Sequence, residues 1–277
     1  MRFVNPNLYI SLAFCLILFI SGRQLAELPC DGGTRKKVIA LLAIIALPSL
    51  LFPLGYMNVF RESPVYCSFR TINRIEIMTS LLSPLFGYIT YRRKEGLFID
   101  FGRLSRVKRG LRPFAFPFCV LFILSCYMSP IILPLNRESG FSSNWENGVL
   151  MQSAQSTCGP AALATAMYRS DGRKDSEEDI SRETYASGVG TDSWYLARYA
   201  TERGFSVTHS VVPDITGAVV PAIACVRVIG TAHYVAILSI RRGIVEVGDP
   251  LRGKLSLTPE EFNILYEFSG CIITVSL

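Results

Sequence analysis

The apolar residues of this chain fall in blocks, and two of the blocks are long. Val38 to Met57 and Pro113 to Leu135 reach the roughly 20 residues with which a helix crosses the hydrocarbon of a bilayer. They point to a membrane-embedded N-terminal half. Leu8 to Ile20 is shorter, and Ile72 to Tyr91 carries Arg74 and Glu76 near its start with Ser83-Pro84 and Gly87 inside, so both are weaker candidates. Taken together the blocks predict an all-α transmembrane region of about four helices, over about 8–20, 38–57, 72–91 and 113–135, within residues 1–135. Buried core helices are the soluble alternative.

Charge divides the chain at the same place. Residues 1–148 hold 17 Lys and Arg against 8 Asp and Glu, whereas residues 149–277 hold 11 against 14. The net charge of +6 therefore belongs to the apolar half, which argues against a nucleic-acid partner. It reads as membrane topology. Arg92, Arg93, Lys94, Arg103, Arg106, Lys108, Arg109 and Arg112 precede the fourth block, and only Arg137 follows it closely. Basic loops stay in the cytoplasm. The loop with Arg23, Arg35, Lys36 and Lys37 falls on that side too, and the N-terminus and the loop from Asn58 to Thr71 fall outside. The C-terminal half is then extracytoplasmic, in a bacterial cytoplasmic or inner membrane. A cleaved signal peptide is the rival reading of the first block, but no small-x-small site follows it and a retained anchor fits the charge better.

Residues 136–148, "NRESGFSSNWENG", read as a polar linker to a domain over residues 149–277. "STCGPAALATAMYRS" predicts a helix capped by Ser156 or Thr157, with Pro160 in its first turn. Ser176 to Asp179 begins a second helix, and Thr191 to Arg203, ended by Gly204, makes a third. The pattern then changes. Phe205 to Val212, Ala218 to Ile229, His233 to Ile240 and Gly243 to Val247 predict strands. Thr258-Pro259-Glu260-Glu261 opens a last helix, and Cys271 to Leu277 closes as a strand. Helices followed by antiparallel strands define the α+β class.

Of eight cysteines, Cys158, Cys225 and Cys271 lie in this domain. Cys225 and Cys271 fit buried thiols or a disulfide, and the sequence leaves both open. There is no C-x-x-C pair, and the two histidines are not at ligand spacing, so no metal and no cofactor is expected. Cys158 starts a helix, where the dipole and unpaired N–H groups favour thiolate over thiol. A thiolate nucleophile needs a base. His233 heads an apolar strand, and Asp249 follows one turn and one strand later, so a hairpin would bring their outer ends together. A strand histidine is more often structural than basic, and His209 has nothing further to recommend it. An oxyanion needs a donor beyond the Cys158 N–H, and Gln152 and Gln155 are the side-chain amides just upstream.

Together these residues resemble a family. "QSAQSTCGPAA" is similar to the nucleophile motif of the bacteriocin-processing, double-glycine-leader peptidases, papain-like cysteine enzymes found at the N-termini of peptide-exporting ABC transporters. The family pattern has glutamine six places before the cysteine, histidine at the head of an apolar strand, and aspartate-proline about sixteen places later. Gln152, Cys158, His233 and Asp249-Pro250 meet it, and "GKLSLTPEEFNILYEFSG" resembles the closing stretch. The resemblance implies a papain-like domain in which Cys158 attacks a peptide carbonyl, His233 moves the proton, Asp249 orients His233 and Gln152 helps hold the oxyanion. Gln155 falls to a solvated or supporting place. Transporter-linked members keep this domain in the cytosol beside an ATPase, whereas here it is expected to be exported, with no ATP and no nucleic acid as partner. "GDPLRGKL" nearly spells a P-loop, but Leu255 stands where Ser or Thr would hold Mg²⁺, and it reads as the turn carrying Asp249. The expected partners are a peptide or protein substrate, the lipid bilayer and a separate secretion machine. A leader-binding module that does not cut and a cysteine-dependent acyl or amide transferase are the alternatives.

Overall fold

The computed structural model describes residues 3–91, 112–135 and 140–277. The basic cluster from Arg92 to Arg109 and Asn136 to Glu138 of the linker lie outside the described residues; of Arg112 the backbone alone is described. The chain forms two compact units, one of Pro6–Met57 with Arg74–Met128 and one of Asn58–Asn73 with Ser129–Leu277 and the N-terminal residues up to Asn5.

The first unit is helical. Helix α1 spans Asn7–Glu27, and α2 spans Gly32–Ala46 and tightens into a 3₁₀ stretch over Leu47–Tyr56. Asp31 caps α2 by accepting from the N–H groups of Gly33 and Thr34. Two apolar helices, Asn7–Glu27 with 21 residues and Gly32–Gly55 with 24, are long enough to cross a bilayer by length and composition. The other two apolar blocks are shorter as helices than their sequence suggests. Residues Ile75–Leu82 are 3₁₀, and α4, Ser83–Thr90, begins at the Ser83-Pro84 pair. Helix α5 covers only Ala115–Ser125, because the chain breaks at Cys126 and Tyr127 before a short turn over Met128–Ile132 that contains Pro130. The expectation of about four spanning helices is thus corrected to two of sufficient length among the described residues. Helices α1 and α4 touch backbone to backbone. A Cβ on Gly22 would lie 2.2 Å from the Pro84 carbonyl oxygen and one on Gly87 would lie 2.1 Å from that of Phe19, so each glycine permits the close approach.

The second unit is built on a six-stranded antiparallel sheet. Strands β3 (Ser206–Val211), β4 (Ala222–Val228), β5 (Thr231–Arg241), β6 (Ile244–Asp249), β7 (Gly253–Leu257) and β8 (Glu267–Ser276) lie in the order β3-β8-β4-β5-β6-β7. A two-stranded ribbon, β1 (Trp145–Glu146) and β2 (Val149–Leu150), precedes them. One sheet face packs on α6 (Cys158–Asp171) and α8 (Ser193–Glu202) through Leu163, Met167, Leu196, Ile223, Ala236 and Ile273. The other packs on α9 (Pro259–Leu265) through Phe262, Val235, Ile237, Val247 and Ile272. This alternation is the period-two pattern of a sheet buried on both faces. Helix α7 (Glu177–Glu183) is capped by Ser176, and α9 by a reciprocal box of Thr258 and Glu261. Strand β8 starts at Glu267, earlier than its sequence suggests, and inserts between β3 and β4.

Helix α3 (Pro64–Thr71) belongs to this unit although it lies far upstream. The Arg198 guanidinium donates to the carbonyls of Arg70 at 2.7 Å, Thr71 at 3.2 Å and Ile72 at 3.0 Å. A buried cation thus satisfies the helix C-terminus, where unpaired carbonyls and the dipole both favour positive charge. Asn73 donates to Glu202 at 2.8 Å, and the Arg70 guanidinium lies 4.5 Å from the Trp194 ring centroid.

Candidate active site

Helix α6 begins at Cys158, and the residue before it does not cap it. The Thr157 hydroxyl instead donates to the Ala154 carbonyl at 2.9 Å and accepts the Ala154 N–H at 3.1 Å. The expected side-chain cap is absent, so the first-turn N–H groups of α6 are left to an incoming oxygen or thiolate. Buried Glu177 holds the preceding loop by accepting the Ser153 N–H at 2.8 Å and the Ser153 hydroxyl. Gly248 lets α6 lie close over β6, since a Cβ there would meet Thr165 Cγ2 at 2.9 Å.

Strands β5 and β6 form the expected hairpin, turning at Arg242 and Gly243, both with positive φ. His233 Nε2 donates to Asp249 Oδ1 at 2.9 Å across it, which leaves Nδ1 as the other ring nitrogen. Cys158 and His233 line one cavity, near enough for the sulfur to act on the imidazole. Cys158 is 7% exposed, His233 6% and Asp249 0%, so the three side chains are shielded from bulk water. Asp249 also accepts the Leu251 N–H at 2.8 Å, the Tyr266 hydroxyl at 2.7 Å and Arg252 Nη1 at 2.9 Å.

Burial alone would raise the Asp249 carboxyl, but these four donors, His233 foremost, hold it well below the ordinary carboxylate range. Burial likewise opposes charge on His233; the hydrogen bonds to Asp249 and Cys158 outweigh it and bring the imidazole up to about 9. The ring is therefore an imidazolium at neutral pH. His209 is the contrast. Burial lowers it to about 4, and its Nε2 lies 3.0 Å from the Thr71 hydroxyl.

Gln152 is tied to the Asp249 corner through its N–H to the Pro250 carbonyl at 3.0 Å. Its side-chain amide donates to the Ala154 carbonyl at 2.7 Å, and its Oε1 is buried without a partner. One amide hydrogen remains. Gln155 is exposed. The "GDPLRGKL" stretch is the end of β6, a turn closed by the Arg252 N–H on the Asp249 carbonyl at 3.1 Å, and β7. No helix follows that turn, so it lacks the setting of a phosphate-binding loop.

A cavity of about 210 Å³ runs from Cys158 and His233 along β4 and β8 to His209. Its lining includes Cys225 and Cys271, and Cys67, Arg61 and Glu62 from the upstream segment. Tyr266, Glu177 and this segment escaped the sequence reading. Arg252 alone had a signal, as the third residue after Asp249 in a turn.

Residues 146–277 match the model of the Peptidase C39 family. The chain is 32% identical over 127 residues to an uncharacterised protein of Methanothermobacter marburgensis, covering 46% of this chain and 87% of that one. A second uncharacterised protein, from Methanothermobacter thermautotrophicus, is 29% identical over an equal span. The chain belongs to the peptidase C39 family. As a C39 protein it is a cysteine peptidase with a papain-like α+β domain, and the expectations of family, fold and enzyme class hold. Among solved structures, the peptidase domain of Streptococcus ComA, a bifunctional ABC transporter involved in quorum sensing, is similar at 20% identity and a TM-score of 0.41, covering 46% of this chain and 96% of that one. A double glycine motif protease from an AMS/PCAT transporter, in complex with its leader peptide, is 18% identical with a TM-score of 0.40, covering 50% and 94%.

Proposed function

We propose that this C39 peptidase is membrane-anchored and cuts peptides after a Gly-Gly leader, using Cys158, His233 and Asp249 on the extracytoplasmic side. The observation that carries the reading is the buried pair of His233 Nε2 and Asp249 Oδ1 at 2.9 Å, with Cys158 lining the same cavity as the ring. Cys158 as thiolate attacks the scissile carbonyl, and the electron pair moves to the carbonyl oxygen, which takes the uncapped N–H groups of α6. His233 then gives its proton to the leaving amine. Water, deprotonated by the neutral ring, resolves the acyl-enzyme. The free hydrogen of the Gln152 amide is the additional oxyanion donor. Asp249 holds the ring and stabilises its charge without becoming protonated.

The location is supported by two helices long enough to cross a bilayer and by the basic residues ahead of Pro113. Residues 3–5, 58–73 and 129–277 are parts of one compact unit, so they share one side of any membrane that the intervening helices cross. An exported site has no access to cytosolic ATP and meets its peptide through a separate secretion machine. The reading is tested by incubating the purified protein with a peptide library that includes Gly-Gly sequences and identifying products by mass spectrometry. Cys158→Ala abolishes both cleavage and labelling by a thiol-directed inhibitor at the active site. Equal labelling of that variant removes the nucleophile. A reporter active only outside the cytoplasm, fused after Leu277, is expected to be active in cells; a silent reporter puts the site in the cytosol.

A further inference from the structure

One wall of the catalytic cavity does not come from the peptidase domain. Arg61, Glu62, Pro64 and Cys67 line it from the segment Asn58–Asn73, upstream of the family region at 146–277. The segment is fastened at several points. Arg61 pairs with Asp192 at 2.9 Å, and Asp192 forgoes capping α8 to do so. The Cys271 thiol donates to the Glu62 carbonyl at 3.3 Å and the Cys67 thiol to the Arg61 carbonyl at 3.2 Å. Arg198 secures the far end through three carbonyls. The backbone of Glu62 is therefore held against β8, while its side chain is free to face the cavity.

The charges on this wall are unequal in what they have left to offer. Arg61 and Asp192 neutralise each other. The Glu62 carboxylate has no hydrogen bond or ion pair among the described residues, and Glu62 lines the cavity together with Cys225 and Cys271. Arg227, also lining the cavity, stands on β4 without an ion pair among the described residues. A cleft carrying one unpaired carboxylate on its upstream wall and one guanidinium on its sheet wall selects charge by position.

We propose that Glu62 forms a subsite for a Lys or Arg side chain of the peptide substrate, on a wall that the upstream segment adds to the cleft of Cys158 and His233. The subsite rests on the peptidase reading of that cleft. A basic side chain pairs with Glu62 at an exposed rim of the cleft, where an ion pair contributes up to about 1 kcal/mol and weakens with salt. A second basic residue directed toward the sheet meets Arg227 and is disfavoured. The isolated domain of residues 146–277 lacks this wall and loses the preference.

Binding and cleavage test it separately. The full chain in detergent carrying Cys158→Ala is incubated with a random peptide library, and retained peptides are sequenced by mass spectrometry. Lys and Arg are expected to be enriched about fivefold, the scale of a partly screened ion pair. The enrichment disappears in Cys158→Ala/Glu62→Gln and turns to Asp and Glu in Cys158→Ala/Glu62→Lys. Because Glu62 is exposed and unpaired, both variants keep the parent melting temperature, which is measured alongside. The same charge preference in all three proteins, or no retention of basic peptides by the parent, overturns the subsite. Cleavage is then read with Cys158 intact. Charge-dependent binding without cleavage refutes the peptidase reading and leaves the subsite standing, whereas cleavage with a preference indifferent to Glu62 refutes the subsite alone.

Discussion

Asp249→Asn is the substitution whose effect the structure defines most closely, because it keeps the side-chain shape and removes one charge from a fully buried position. His233 is raised from 6.5 to about 9 against the opposing effect of its own burial. The surplus is about 3 kcal/mol in favour of the imidazolium, and the bond to Asp249 is the largest contribution that favours it. Without that charge the ring keeps only the contribution of Cys158 against its own burial, so its midpoint falls below about 9. The imidazolium population at about pH 8 then falls with it. The assay is simple because the chain has two histidines. With histidine-selective labelling, proton NMR of the full chain in detergent should show one ring with a midpoint near 9 and one, His209, near 4. Asp249→Asn should move the first and leave the second. Cleavage should lose kcat more than KM, and its alkaline limb should shift to lower pH. An unmoved midpoint near 9 in the variant would mean that another group orients His233, and the proposed triad would fail.

Stability should follow these two groups and His209. The contribution of His233, whose folded value is raised, is fully present below 6.5 and lost as pH rises through about 9; that of Asp249, whose folded value is depressed, is present above 3.8 and lost as pH falls below it. His209, whose folded value burial depresses to about 4, costs stability as pH falls below 6.5, so the melting temperature is expected to peak near pH 6.5 and to decline on either side, and a maximum near pH 9 would contradict this. Arg198→Ala removes a buried charged donor from three carbonyls and should cost about 2–4 kcal/mol. It should also open residues 58–73 to limited proteolysis, and equal resistance would show that the segment is held by other contacts. Oxidised glutathione should join Cys225 to Cys271, two thiols and one disulfide giving a protein disulfide and two glutathione thiols, since the two stand on paired strands and line one cavity. Peptide mapping that finds Cys158 bridged to either one refutes that pairing, and Cys225→Ser or Cys271→Ser should keep the active-site thiol.

The local features were legible in the sequence wherever chemistry acts over a few residues. The helix starts at Ser176 and Thr258, the turn at Arg242-Gly243 and the order of helices before strands follow from capping, positive φ and side-chain period. The spacing of Cys158, His233 and Asp249 was enough to name a family. Helix length in the apolar half was not legible, because composition does not say where a 3₁₀ stretch or a proline divides a block such as 113–135. Nor was the environment of Asp249. Tyr266 and Arg252 reach it only because α9 and the β6–β7 turn fold back on the same strand end. The placement of β8 inside the sheet, which sets Cys271 beside Cys225, depends on pairings between strands far apart in the chain. The same is true of Arg61 and Glu62. Nothing in "FRESPVY" marks it as a wall of the catalytic cavity, since that place is decided by Asp192, Arg198 and Cys271, contacts that exist only after the chain has closed on itself.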